Sequence, residues 1–321
     1  MKVLVLSNAA AARARRRVPA LRDALPEPDV EHHVTEHAAQ AAELVRRTDW
    51  RPHDLLVVNG GDGTVQHVLS TLLDACPARQ WPRVACLPGG TTNMTAYDLN
   101  RHRRYGDCVE TLRAALGPRE GVPLAPRPLV QVATGVPGAR PAGLFFGIGT
   151  IVRGIEYFHA RIRDSGGAHE LGAGVALARA VWGIARREPP FAEPLMVDVE
   201  AAPGGDDGAF RLPAAVPMHL LLATTLERLF LGIRPYWGNG AAPLRCTLVE
   251  AGAGGFVTRL PRLLRGRPDP QMTPANGWHS ARLAALSLRF DGCFTVDGEL
   301  FPGSGDTMRV SATEPVRFLR L

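Results

Sequence analysis

The stretch that most constrains the fold is DLLVVNGGDGTVQHVLSTLLDAC, residues 54–76. Residues 54–58 read as a buried strand. After them Val65, Val68, Leu69, Leu72, Leu73 and Cys76 recur at helical spacing, with polar residues between. Three glycines and one carboxylate stand at the join. A strand that runs through glycines straight into a helix leaves the first helical N–H groups without carbonyl partners, at the positive end of the helix dipole. That arrangement suits a phosphate.

A second join of the same kind follows at residues 84–93, VACLPGGTTN. Up to about residue 120, strand patterns at 3–7, 30–35, 55–58 and 84–87 alternate with helix patterns near 11–25, 37–48, 64–75 and 106–116. Such alternation predicts a parallel sheet with helices on its faces. Ligands of parallel sheets sit beyond the carboxyl ends of the strands. One glycine turn alone is no more than a tight connection, but two at the same edge would converge on one anion. The pattern GxxxxGK[ST] is absent and Lys2 is the only lysine, so no P-loop can form. GxGxxG is absent from both turns, which argues against the usual dinucleotide crevice.

Beyond residue 126 the pattern changes. Residues 117–128 (GPREGVPLAPRP) read as a crossover. Short β-like runs follow: LVQVA, LFFGIGTIV, LMVDVE, HLLLATTL, RCTLVE, ARLAALSLRF and CFTVDGEL. Helical stretches at 168–187 and 256–264 interrupt them, and residues 203–208 (PGGDDG) look like a hairpin tip. The expected architecture is an α/β nucleotide-binding domain over 1–126 and a β-rich, sandwich-like domain over 127–307. Residues 308–321 are expected to return to the first. No apolar run approaches the ~20 residues of a membrane span, and the first eight residues are too short for a signal-peptide core. The five cysteines show no CxxC spacing, which fits reduced thiols in a cytoplasmic protein. The net charge of +6, almost all arginine, suits anionic nucleotides or an anionic membrane face. Aromatics at 6% and the lack of any base-reading motif argue against nucleic acid.

The motifs GGDGT (60–64), LPGGTTN (87–93) and VDGE (296–299), in that order, resemble the diacylglycerol kinase catalytic family. Its relatives include bacterial lipid kinases, sphingosine and ceramide kinases and, more distantly, NAD kinases. The resemblance implies ATP and Mg2+ as cofactors, and a site in the cleft between an α/β domain and a β-rich one. It implies that Gly60, Gly61, Asp62, Gly63 and Thr64 form the nucleotide loop, with Asp62 oriented to magnesium and the ATP phosphates. Gly90, Thr91 and Asn93 match the second nucleotide turn, Thr35 a nucleotide-contacting threonine, and Asn8 the start of an Asn-Pro motif. Glu299 matches the family's general base, and Asp297 stands beside it as a second candidate for the metal. Asp62 and Glu299 are thus the catalytic candidates. The implied substrate is the hydroxyl of diacylglycerol or a similar two-chain lipid, met at an anionic membrane by a peripherally associated cytoplasmic enzyme. Ceramide or a sphingoid lipid comes next, then NAD, then a nucleotide-binding regulator with weak catalysis. A homodimer stays open.

This chain departs from the family in several places. Asn93-Met94 stands where Asn-Asp is frequent, Gln66-His67 where Asn-Glu commonly follows GGDGT, and Ala9 where proline follows the asparagine. Residues 239–247 (NGAAPLRCT) hold no acidic residue where bacterial relatives bind a structural magnesium.

Other stretches carry two readings each. His32 and His33 point to opposite faces of a strand, so with His37 they suit a solvated edge better than a metal. Residues 13–17 (RARRR) are either a solvated helix face or a source of one arginine for ATP. LFLGIRPYW (229–237) reads as an apolar strand and its turn, packed in the core or touching lipid. The glycines of FFGIGTIVRG (145–154) mark a kinked strand or a close backbone approach. Asp297-Gly298 is a hairpin signal that would also present Glu299.

Overall fold

Strands covered on both faces need apolar residues at every position, and three runs near the amino terminus have them. The structure, a computed structural model, describes residues 1–26, 30–117, 122–135, 140–165, 179, 182–184, 186, 188–201 and 215–321. It divides into two compact units, Met1–Leu129 with Glu314–Leu321, and Val130–Thr313.

In the first unit β1 (Val3–Asn8), α1 (Ala12–Ala24), β2 (Glu31–Thr35), α2 (Ala38–Arg47), β3 (Leu55–Gly60), α3 (Asp62–Ala75) and β4 (Arg83–Pro88) alternate. Helices α4 (Met94–Leu99) and α5 (Tyr105–Leu116) follow. The strands lie in the order β2-β1-β3-β4, every neighbour parallel. The end of the chain's last strand joins β4 in the same direction, Phe318 opposite Val84. On one face Val3, Val5, Leu55, Val57, Ala85 and Leu87 pack with Leu21, Leu25, Cys108 and Leu112 of α1, its C-cap and α5. The alternate residues Leu4, Leu6, Leu56 and Val58 are as deeply buried and point to the other face. Right-handed crossovers put α2 and α3 there. Because the chain steps from β1 outward to β2 and then back to β3, the connections leave β1 and β3 on opposite sides. That switch point opens a crevice at the carboxyl ends of β1 and β3, where Asn8 and Gly60 stand.

The second unit is built mainly from antiparallel strands. They are β5 (Leu124–Ala133), β6 (Ala142–Gly143), β7 (Phe145–Gly149), β8 (Leu195–Ala201), β9 (Val216–Thr224) and β10 (Leu244–Glu250). After them come β11 (Trp278–Leu283), β12 (Ala285–Arg289), β13 (Cys293–Val296), β14 (Glu299–Pro302) and β15 (Met308–Leu319). Helices α6 (Thr150–Ser165) and α7 (Phe256–Arg265) belong to the same unit, and the division between units falls within β5 and β15. One ladder runs β14-β13-β7-β9-β10-β11, and the start of β9 leads through β8 to β12 and β15. Phe146, Ile148, Leu221, Ala223, Leu248 and Phe294 from the first set meet Val197, Val199, Leu286, Leu288 and Val310 from the second in one core. This is the sandwich-like arrangement of two inner faces. The outer face of the first ladder, with Leu220, Leu222, Val249 and Trp278, is covered by Phe256, Leu260 and Leu263 of α7.

Four details differ from the expectation. LFFGIGTIV is not one β run: the strand stops at Gly149, whose φ of 71° turns the chain, and α6 starts at Thr150. The Thr150 hydroxyl then donates to the His219 carbonyl at 2.9 Å, and this tertiary bond outweighs the β preference of Thr-Ile-Val. ARLAALSLRF breaks at Ala284 into β11 and β12, which belong to different ladders. Residues 124–128, expected in a crossover, are already strand β5. LFLGIRPYW forms no strand, only a single 3-10 turn at Phe230–Gly232. Most of the helix expected over 168–187, and the hairpin tip expected at 203–208, lie outside the described residues.

The turn at Gly149 tests this packing. A Cβ there would stand 2.4 Å from the His219 carbonyl oxygen, at a φ that side chains rarely adopt. Gly149→Ala is therefore expected to lose about 2–4 kcal/mol of stability in urea unfolding. Gly106→Ala, in α5 with open space around it, is expected to gain about 0.5–1 kcal/mol.

Candidate functional site

Two glycine turns meet backbone to backbone at the carboxyl edge of the parallel sheet. β3 and β4 pair with Gly60 opposite Pro88, so both turns leave the sheet at the same level. A Cβ on Gly90 would lie 2.4 Å from the Gly61 Cα, and one on Gly61 would lie 3.2 Å from the Gly90 Cα. The Gly89 N–H donates to the Gly60 carbonyl at 3.1 Å. No side chain fits between the turns, which is why glycine is required on both.

Asp62 and Asn93 tie the turns together. Asp62 opens α3, and its carboxylate accepts the Met94 N–H at 3.0 Å and the Thr95 N–H at 2.9 Å, the first amides of α4. One carboxylate thus caps a neighbouring helix while sitting in the first turn of its own, both favourable places for negative charge. Burial pushes the Asp62 carboxyl above the usual carboxylate range, against the pull of the Thr95 and Met94 amides. Asn93 adopts the left-handed conformation, φ 49° and ψ 38°, which asparagine tolerates better than most residues. Its side chain accepts the Gly90 N–H at 2.7 Å and donates to the Gly90 carbonyl at 2.9 Å, closing the second turn on itself. Thr91 is exposed at the tip. Met94 is buried, and it is its backbone rather than its side chain that meets Asp62.

The end of β1 adds to the same edge. Asn8 donates from Nδ2 to Thr64 Oγ1 at 2.8 Å, and its Oδ1 accepts the Ala10 N–H at 2.9 Å. Thr35 pairs with Asn8 at the end of β2, and its carbonyl accepts the Ala9 N–H at 2.8 Å. Asn8, Thr35, Gly60, Gly61, Asp62, Gly63, Thr64, Gly90 and Asn93 are therefore gathered at one edge of the sheet. Two arginines of RARRR reach the second turn: Arg17 donates to the Pro88 carbonyl at 2.9 Å, and Arg13 lies 3.4 Å from the Gly90 carbonyl. Arg17 also stacks over Tyr105, 4.2 Å from the ring centre, and the Tyr105 hydroxyl donates to Asn59 at 3.2 Å. Asn59 in turn donates to Ser7 Oγ at 3.0 Å. This buried polar network under the turns escaped the sequence reading, because Ser7, Asn59 and Tyr105 are remote in the chain. Helix α4 escaped it too, being only six residues long.

Asp297 and Glu299 belong to the second unit. Asp297 and Gly298, with φ of 51° and 95°, form the two-residue turn between β13 and β14, Val296 opposite Glu299. Paired positive φ values are those of the hairpin turn that Asp-Gly favours. The buried Asp297 carboxylate accepts the Leu144 N–H at 3.0 Å and the Phe145 N–H at 2.8 Å. Gly143 makes room for it, since a Cβ there would overlap Asp297 Oδ2. Glu299 is exposed at the start of β14, a strand paired only with β13 among the described residues.

The donor set at the turns fits a nucleotide with magnesium. The first N–H groups of α3 are donors for phosphate oxygens, whereas the Gly89 and Gly90 N–H groups of the second turn are bonded to the Gly60 carbonyl and the Asn93 side chain. Among the described residues no three or more His, Cys, Asp or Glu side chains gather as a metal cage. Magnesium does not need one, because it keeps several waters and takes one or two carboxylates besides phosphates. Asp62 retains lone pairs beyond those that meet the α4 amides. A dication beside it would also favour its charged form.

If Asp62 links the two turns, its removal leaves two amides without an acceptor. Asp62→Ala is expected to lower stability by about 1–3 kcal/mol in urea unfolding, and Asp62→Asn, which keeps one acceptor, by less. An unchanged urea midpoint for Asp62→Ala would show that the link has no structural weight.

Comparison with known proteins bears on the same segment. Residues 2–119 match the family model of the diacylglycerol kinase catalytic domain. No curated protein matches the chain. Its fold is similar to that of crystal structures of a protein assigned as a diacylglycerol kinase from Bacillus anthracis str. Sterne. One such structure is 17% identical with a TM-score of 0.64, covering 100% of this chain and 97% of that one. A second is 16% identical with a TM-score of 0.60, at the same coverage. That likeness establishes the fold, an α/β unit followed by a β-rich one. The matched segment, residues 2–119, contains both glycine turns, and over that segment the chain is similar to the diacylglycerol kinase catalytic family that its motifs resemble.

Proposed function

We propose that the chain is an ATP- and magnesium-dependent lipid kinase that phosphorylates a hydroxyl of diacylglycerol or a similar two-chain lipid. The observation that carries this reading is the backbone contact between Gly61 and Gly90 at the mouth of α3, inside the segment that matches the family. ATP supplies the phosphoryl group and magnesium neutralises its charge, and the protein's task is positioning and electrostatics. The first amides of α3 hold phosphate oxygens, and the second turn backs them. Asp62 would hold the metal, directly or through water, with the lone pairs not engaged by the α4 amides. Arg13 and Arg17 keep the second turn in place through its carbonyls. Glu299, exposed and outside any described hydrogen bond of its own side chain in this structure, accepts the proton of the attacking hydroxyl. Asp297, expected as a metal ligand, has both carboxylate oxygens on the Leu144 and Phe145 amides, and we assign it the positioning of the turn that presents Glu299.

The acceptor lies in a bilayer, so the enzyme works at a membrane surface. Among the described residues no helix is long and apolar enough to cross a membrane, and the net charge of +6 suits a peripheral approach to anionic lipid.

Incubation with labelled ATP and separate diacylglycerol, ceramide and NAD acceptors, followed by thin-layer separation, tests the substrate. Label is expected in phosphatidic acid. Label only in ceramide phosphate or NADP would reassign the acceptor, and none in any product would overturn the kinase reading. Glu299→Gln keeps the shape and removes the proton acceptor. Its turnover is expected to fall roughly 10²–10⁴-fold while ATP affinity, measured by calorimetry, survives. Near-normal turnover would remove Glu299 from the mechanism.

A further inference from the structure

The loop after β9 carries an apolar side chain where neither solvent nor backbone favours one. Leu231 is 77% exposed, more than any other large hydrophobic among the described residues. Its φ of 56° and ψ of 11° lie in the left-handed region, where glycine or asparagine is the ordinary choice. The turn around it is well held. The Gly232 N–H donates to the Leu229 carbonyl at 3.0 Å, the Leu229 N–H to the Ile233 carbonyl at 2.9 Å, and Leu229 itself is buried. Leu231 is therefore fixed outward by its neighbours, not loosely exposed.

Arginines surround this tip. Arg228 and Arg234 flank the turn in sequence, and both are exposed. The Arg234 N–H donates to the Leu264 carbonyl at 2.8 Å, which stitches the loop to the last turn of α7. Gly266, the left-handed C-cap of α7, packs so closely that a Cβ there would come within 2.5 Å of the Arg234 carbonyl oxygen. Arg265 and Arg267, exposed on either side of Gly266, are thereby brought beside the loop. Among the described residues the nearby acidic groups are few: Glu227 adjoins the turn, and Asp269 is already paired with Arg259 and Arg262.

We infer that the Leu231 turn and the carboxyl end of α7 form the surface by which this chain docks on an anionic bilayer. The inference rests on the reading of the chain as an enzyme acting on a membrane lipid. Leu231 enters the boundary between headgroups and acyl chains, and Arg228, Arg234, Arg265 and Arg267 meet lipid phosphates with their aliphatic stems laid along the interface. A protein partner is the weaker occupant. A stable interface needs roughly 800 Å² from each side with few charges at its centre. One leucine within a ring of arginines has the opposite composition.

The test is sedimentation of the full chain with vesicles of phosphatidylcholine containing about 30 mol % phosphatidylglycerol, at low and high salt. Leu231→Gly removes the tip at a φ that glycine prefers, so loss of fold cannot explain its effect. It is expected to weaken vesicle binding about tenfold. The triple variant Arg234→Gln, Arg265→Gln, Arg267→Gln is expected to weaken it on the order of 100-fold, at about fivefold per arginine, and to flatten the salt dependence. Both variants are expected to phosphorylate a short-chain, water-soluble diacylglycerol as the parent does. Variants that bind vesicles like the parent, or a parent that binds none, would overturn the surface and leave the kinase reading standing. Loss of vesicle binding in a chain that phosphorylates no lipid would support the surface and overturn the kinase reading. Self-association abolished by Leu231→Gly, without vesicle binding, would assign the patch to a second copy and overturn the inference.

Discussion

The contact between Gly61 and Gly90 is the constraint on which the first unit depends. Two strands in parallel register end at the same level, and the chain leaves each through a turn with no side chain at the point of contact. That closeness lets Asp62 reach across to cap α4 and lets Gly89 bond to Gly60. The joined edge is in this sense a packing result before any chemical role. The glycines of the first turn also lead straight into α3, whose first N–H groups have no intrahelical carbonyl partners.

Carboxylates in this protein do structural work at the positions where chemistry is expected. Asp62 and Asp297 each accept two consecutive backbone N–H groups, Met94 and Thr95 in one unit, Leu144 and Phe145 in the other. Consecutive amides form a small positive concavity that a carboxylate fills well, and charge-assisted bonds of this kind are stronger than neutral ones. Each aspartate thereby locks a turn that carries functional candidates: Thr91 and Asn93 beyond Gly90, Glu299 beyond Gly298. The missing carboxylate at Met94 acquires a structural context as well. Met94 is buried, with its N–H on Asp62, so a carboxylate there would add a second buried charge to the short helix that Asp62 already caps.

Most of the first unit was legible because its signals are local. The apolar runs of β1, β3 and β4, the helical spacing of α3 and the glycines between them lie within windows of a dozen residues. Sequence periodicity reports such windows directly. Helix α4 was not legible, since six residues hold less than two helical turns and its amino-terminal cap comes from Asp62, 32 residues earlier. In the second unit most apolar runs marked strands but not where they end, and LFLGIRPYW marked a strand that does not form. Gly149 ends β7 through its φ and its contact with His219, and Ala284 divides one run between two ladders. Both decisions depend on partners about 70 residues away or on a different ladder.

By itself the sequence determined the alternation of strand and helix, the two glycine turns, the Asp-Gly hairpin and the family resemblance. Each of these is written in residues adjacent in the chain, where backbone freedom, turn chemistry and apolar spacing act locally. Only the tertiary structure decided that the turns touch, that Asp62 and Asp297 are held by distant amides, and that Arg13 and Arg17 reach the second turn. It alone set Leu231 outward beside the end of α7, in a stretch that reads as an apolar strand and its turn, packed in the core or touching lipid. The physical reason is the same in every case. A hydrogen bond, a close approach or an exposed face depends on which surfaces meet after the sheets assemble, and that meeting has no signature in any single stretch of sequence.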